Sequence, residues 1–404
     1  MRTPGKDFRI ALIVLNDLGC LELNRRDAAS GNIYIASLYV GALVFLFALQ
    51  QPYSLLMGLF LSALYFLLGG VSKSINLVSL LALLLAIAVI SLPSVFLRHG
   101  LSPLFYVCST LLVAGAAFRF SKLPLASSLR SLQIVFWFFW VVTLCLWWVH
   151  RDSVEPLGEI IQGSSTNGIP SYFIVLQVAV SVAFLLCHMR LPVLTPLATL
   201  LVAFLGLGRG SIVVALALLI ASLGFNFLLF YGKSALARGV FCSLFFLIAV
   251  VSLVVGVYVL GNFFYSYIES SKFSSGLMDP YRALILSEYL DGLDSVGVLF
   301  GGGYEGTVID LKYDGNPHIA FIRTHAFYGL FGLMVVLLSP FILFLSRHHS
   351  WRCSLVVFCF MCLLLVRALT EPILFPTLLD FFYLYVFFVF FKTQAACEKE
   401  GAYV

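Results

Sequence analysis

The chain has 404 residues, of which 61% are hydrophobic and only 11% are charged, against about 25% charged in an ordinary soluble domain. That balance excludes a soluble globular protein, which needs a polar shell around its core, and long unbroken apolar runs exclude a membrane barrel, whose strands alternate. The net charge of +5 does not point to nucleic acid, because the basic residues are scattered through short connecting segments with no basic stripe.

Residues 1–30 mix Arg2, Lys6, Arg9, Arg25 and Arg26 with Asp7, Asp17, Glu22 and Asp27. The apolar stretch Ile10–Leu15 is too short for the core of a signal peptide, so the segment reads as a cytoplasmic tail. A spanning helix needs roughly 20 apolar residues. On that measure twelve spans are expected, at 32–49, 53–70, 75–96, 101–118, 131–150, 171–188, 192–207, 211–231, 239–264, 321–345, 353–368 and 374–391. The expected fold is therefore all-α, a single polytopic integral membrane domain over 1–404. With the N-terminus inside, sixteen Lys and Arg fall on the cytoplasmic side and eight on the other, which fits the positive-inside bias and places both termini in the cytoplasm. Most of the nine cysteines lie inside apolar runs and read as small buried hydrophobes. Trp147 and Trp148 suit an interfacial aromatic belt.

Two external segments exceed simple turns. One runs from Arg151 to Pro170. The other is a large periplasmic loop over 265–320, which carries eight of the nineteen acidic residues. Within it Pro280–Leu293 reads as a helix. Asp279 suits the cap, Pro280 the first position and Gly292 the end, with Leu284, Ile285 and Tyr289 as the apolar face.

Three positions carry chemistry. Arg209 stands in Gly206-Leu207-Gly208-Arg209-Gly210-Ser211. An interfacial arginine ordinarily snorkels to headgroups, but that role needs no glycine collar, and glycines allow close approach of another group. Arg282 follows Asp279-Pro280-Tyr281, where a surface ion pair is the ordinary role. His318 stands in Asn316-Pro317-His318-Ile319 at a span boundary, with an unperturbed pKa of about 6.5 that suits proton transfer. All three fall on one external face. Arginine grips phosphate oxygens in a planar fork, and a histidine can take a proton from an attacking hydroxyl. The set suits transfer of a group from a pyrophosphate to an alcohol, with the arginines stabilising charge on the leaving group. Charged residues nearby extend it. Arg367 and Glu371 are spaced as an ion pair near the same face, Arg323 and His325 flank His318, and Asp380 sits among aromatic residues in the last expected span.

From Arg209 onward the chain resembles the O-antigen polymerase and O-antigen ligase superfamily. The resemblance is carried by Arg209-Gly210-Ser211, by Arg282 followed by Gly301-Gly302-Gly303-Tyr304, and by His318 followed by Gly329-Leu330-Phe331-Gly332. The chain departs at Ile319, where the family often has Asn. The resemblance implies a membrane glycosyltransferase of the GT-C type in the bacterial inner membrane, with its active site facing the periplasm and needing neither metal nor cofactor. His318, Arg282 and Arg209 would be catalytic. Arg323, His325, Arg367, Glu371, Tyr281, Tyr304, Asn167 and Asn316 would hold substrate. The implied partners are an undecaprenyl-pyrophosphate-linked oligosaccharide, the bilayer and a chain-length regulator protein, with no nucleic acid. The segment Glu159–Tyr172, with Ser-Ser-Thr-Asn-Gly at its centre, resembles a loop of repeat-unit polymerases and favours polymerase over ligase. A transporter of lipid-linked sugars is the reading from another class. It is disfavoured because no internal repeat is evident and the charges cluster on one face, not at mid-depth.

Overall fold

The structure is a computed structural model that describes residues 30–49, 51–68, 85, 102–153, 155–160, 168–227, 280–304, 306–313, 315–346 and 349–400. All but the last residue of the expected tail over 1–30, the expected span at 239–264, nearly all of that at 75–96 and the start of the large loop lie outside them. Every regular element among the described residues is a helix: α1 (Ser30–Leu49), α2 (Pro52–Leu68), α3 (Ser102–Ser121), α4 (Leu125–Val149), α5 (Pro156–Glu159), α6 (Gly168–His188), α7 (Leu194–Leu205), α8 (Arg209–Phe225), α9 (Pro280–Asp291), α10 (Ser295–Phe300), α11 (Val308–Tyr313), α12 (Ala320–Leu345), α13 (Trp351–Ala368) and α14 (Asp380–Glu400).

Six of these, α1, α3, α4, α6, α12 and α13, are long and apolar enough to cross a membrane, and α2, α7 and α8 are apolar but shorter. Among the described residues, two of the expected spans differ clearly in form. The segment 192–207 yields only α7, 12 residues bounded by Pro192 before it and Gly206 at its end, about 18 Å of helix against a core of about 30 Å. The segment 374–391 becomes helical only at Asp380, because the residues before it form a loop.

α6 is the centre of the bundle. Every residue from Gly168 to Leu185 is buried, and α1, α4, α7, α8, α13 and α14 all touch it. A helix apolar on all sides suits such a position, since it has no polar face to keep in water. The periphery is apolar too. Leu38, Phe138 and Val149 are exposed to 77%, 61% and 70%, a surface that water would penalise and hydrocarbon does not. The protein is membrane-embedded. Between helices, where lipid supplies no hydrophobic drive, hydroxyls and carbonyls act as fasteners. Tyr385 Oη lies 3.0 Å from Ser128 Oγ between α14 and α4. Lys392 Nζ donates to Ser121 O and Leu123 O, both at 2.7 Å, at the end of α3.

The expected helix after Pro280 is observed as α9, and Gly292 N–H closes it on Glu288 O at 3.1 Å. Its buried face is Ile285 and Tyr289, which form a second small core with Ile309, Ile319, Ile322 and Ala326. Leu284, expected on that face, is 42% exposed, since the buried pair is spaced i, i+4 and Leu284 points to one side of it.

The glycine motifs explain how α9–α11 attach to the bundle. α12 is kinked at Gly329, with φ 66° and ψ −173°. A Cβ there would lie 2.5 Å from Leu299 O, and a Cβ on Gly301 (φ 92°) would lie 2.4 Å from His325 O. The two motifs therefore meet backbone to backbone, and only glycine satisfies both the positive φ and the contact. Gly306 provides the comparison, with φ 73° and nothing within 4 Å of an added Cβ. Gly306→Ala is expected to cost about 1 kcal/mol of backbone strain, the low end for a strained residue. Gly301→Ala and Gly329→Ala are expected to lower the apparent melting temperature in detergent clearly more. Equal shifts for all three would contradict the contact.

Candidate functional site

The site is built on the loop over 369–379, between α13 and α14. Four bonds fix its course. Asp380, the first residue of α14, accepts from Phe375 N–H at 2.7 Å and Thr377 N–H at 2.8 Å. From α12, Arg323 Nη2 donates to Pro372 O at 2.8 Å and Thr324 Oγ1 donates to Phe375 O at 3.3 Å. Asp380, expected within a span, is thus the anchor of the loop, wholly buried. Phe375 is held at φ 43°, a conformation a bulky residue keeps only when its surroundings over-determine it.

That loop presents Glu371. Its Oε1 lies 3.4 Å from Arg367 Nη2 and 3.6 Å from Arg282 Nη2, so one carboxylate joins the end of α13 to α9. The two arginines differ in freedom. The Arg367 side chain is 1% exposed and that of Arg282 is 27%. Arg367 is further held by Ser171 Oγ at the start of α6, which accepts from Nε at 3.0 Å and Nη2 at 2.7 Å, and by Thr370 Oγ1, which accepts from Nη1 at 2.5 Å. The start of α8 completes the enclosure. A Cβ on Gly210 would stand 3.1 Å from Arg367 Nη1, so the group that the glycine collar of Arg209 admits is a second arginine.

Beside this cluster lies a cavity of about 1020 Å³. Gln51, Asn316, His318, Arg323, Glu371 and Thr377 form its polar lining, and Leu46, Phe47, Leu55, Leu56, Phe105, Tyr106, Phe327 and Leu378 its apolar one. Gly168, the first residue of α6, also reaches it and brings the positive end of a helix. His318 is held at φ 53°. Its N–H bonds Asn316 Oδ1 at 3.1 Å, and its ring stands edge-on to Tyr313 with centroids 4.8 Å apart. A histidine strained in this way and facing a cavity is a functional candidate.

Of the residues singled out in the sequence, His318, Asn316, Arg323 and Glu371 line one cavity. Arg282 and Arg367 meet on Glu371, and Arg209 adjoins them through Gly210. His325 does not line the cavity: Nδ1 is 2.7 Å from Tyr289 Oη and Nε2 is 2.9 Å from Val298 O, so it bolts α9 and α10 to α12. Tyr304 does not line it either, and packs with Tyr289 at a centroid distance of 6.0 Å. Asn167 and the side chain of Tyr281 lie outside the described residues. Among the described residues no group of three His, Cys, Asp or Glu is placed to hold a metal ion.

No family model, curated protein or solved structure matches the chain.

Sequence reasoning missed Thr370 and the anchoring role of Asp380, and it read the Glu159–Tyr172 stretch only as a polymerase-like loop, where the structure gives its Ser171 to Arg367. A signal existed for Thr370. The polar run Thr370-Glu371-Pro372 interrupts two apolar helices, and a buried arginine requires acceptors. Ser171→Ala is expected to cost about 1.5–3 kcal/mol, the worth of hydrogen bonds to a charged group. Arg367→Met is expected to cost about 3–5 kcal/mol by breaking a buried pair. Thermal unfolding in detergent checks both, and unchanged melting for Arg367→Met would contradict the buried pair.

Proposed function

We propose that this protein is a bacterial membrane glycosyltransferase that polymerises polysaccharide repeat units carried on polyprenyl diphosphate, as its resemblance to the O-antigen polymerase and ligase superfamily implies. One observation carries the reading: Arg323, His318 and Glu371 line one cavity at one end of an apolar helical bundle, Glu371 there bridges Arg282 and Arg367, and the cavity's other wall is apolar. A lipid-linked sugar diphosphate has the same two-sided chemistry, an anionic head that arginine forks bind and a hydrocarbon tail that needs an apolar path. Choosing repeat-unit polymerisation over transfer to a lipid core rests on the Glu159–Tyr172 stretch.

In the proposed reaction the growing chain's diphosphate lies against Arg282 and Arg323, close to the start of α8 and its Arg209. The acceptor hydroxyl of a second lipid-linked unit lies beside His318. The hydroxyl oxygen bonds to the anomeric carbon as its proton passes to the His318 ring. The bond from that carbon to the diphosphate oxygen breaks, and its electron pair leaves with the polyprenyl diphosphate. The guanidinium groups stabilise that charge as it forms, in a setting of low dielectric where each is worth more than in water. The site would face the outside of the cytoplasmic membrane, where the positive-inside bias puts it.

Cells carrying Arg282→Ala or His318→Ala in place of the wild-type protein test this. Loss of one charge-stabilising donor is expected to slow transfer by about 10²–10³-fold, and loss of a general base by about 10²–10⁴-fold. The polysaccharide ladder should collapse to single repeat units attached to the lipid core. Bare core would mean a ligase. A normal ladder at normal protein level would overturn the assignment.

A further inference from the structure

Resting on the reading just given, we infer that Glu371 is an internal counter-anion that the substrate diphosphate must displace, and that this exchange makes the site select diphosphates over monophosphates. Glu371 lines the cavity and bridges Arg282 and Arg367. Two neighbouring guanidinium groups, one of them fully buried, need an anion at all times, because a cation removed from water without a partner is strongly penalised. In this structure the carboxylate fills that need. A diphosphate arriving at the same arginines would meet like charge at close range, so carboxylate and diphosphate cannot share the pair.

The arrangement also indicates which side moves. Arg367 is fixed by Ser171 and Thr370 and fully buried, whereas the Arg282 side chain is 27% exposed. Arg282 can therefore turn from Glu371 to the incoming phosphates while the carboxylate remains on Arg367. A phosphate monoester carries about −1.5 to −2 at neutral pH, but on a single set of oxygens. A diphosphate presents two sets of oxygens, enough to engage the fork of Arg282 and a second donor together, so it alone wins the exchange decisively. Glu371 thus acts as a specificity-determining residue.

The test uses the purified full chain in detergent, with farnesyl diphosphate and farnesyl monophosphate as probes. Affinities are measured for wild type, Glu371→Gln and Glu371→Asp. In wild type the diphosphate is expected to bind at least tenfold more tightly than the monophosphate. Glu371→Gln should bind both probes more tightly, by roughly tenfold for the diphosphate and more for the monophosphate, so that the selectivity narrows. Its melting temperature without probe should fall, and diphosphate should raise it more than in wild type. Glu371→Asp keeps the charge but withdraws it from Arg282, and should lie between the two. It carries the test if Glu371→Gln does not fold. If wild type binds diphosphate and neither variant binds it more tightly, the exchange is wrong while the assigned function survives. If wild type binds neither probe, the diphosphate reading of the site fails with it.

Discussion

The organisation of this protein depends on one buried charge. Arg367 lies at the end of an apolar helix, 1% exposed, and its guanidinium must be satisfied from within. Satisfying it draws in the start of α6 through Ser171, the following loop through Thr370 and Glu371, and α9 through the contact of Arg282 with the same carboxylate. Three pieces of chain far apart in sequence, the start of α6, the end of α13 with its loop, and α9, are thereby linked through one ion-paired cluster. The bundle supplies the low dielectric that makes each of these contacts matter, and the contacts supply the specificity that lipid-facing packing lacks.

A second layer of design holds the short helices α9–α11 over that end. Gly301 and Gly329 let two backbones touch, and His325 ties Tyr289 of α9 to Val298 of α10. The glycine motifs carry the family resemblance in the sequence, and His325 was expected to hold substrate. Their role is indirect: they set where α9, and so Arg282, stands. The end of the bundle that holds the candidate site is thus a frame of α6, α12 and α13, with a bridged arginine reaching in from a docked segment.

Much of this was legible beforehand. Apolar runs of about 20 residues need a helix in hydrocarbon, so helices such as α1 and α6 follow from composition. Pro280 and Gly292 mark the ends of α9 by their fixed and permissive backbones. The spacing of Arg367 and Glu371 gives their pairing. Other features were not legible. The short α7 escaped because hydropathy averages over its flanking Pro192 and Gly206. The loop before Asp380 escaped because Ile373, Leu374 and Phe375 are as apolar as any span, and only the carboxylate that collects their N–H groups reveals a turn. His325 was ambiguous because a histidine bonded on both nitrogens and a histidine open to ligand look alike in sequence.

The central claim is that Arg323 and His318, with Arg282 joined to the cavity wall through Glu371, form one diphosphate-binding site at the end of the bundle. The most direct measurement is an experimental density map of the protein in lipid with a non-hydrolysable polyprenyl diphosphate analogue. The account predicts phosphate density within hydrogen-bonding reach of Arg282, with the His318 ring facing the sugar-bearing oxygen and the tail leaving past Leu55 and Phe105. Phosphate density elsewhere in the bundle, or at the opposite end from His318, would contradict it.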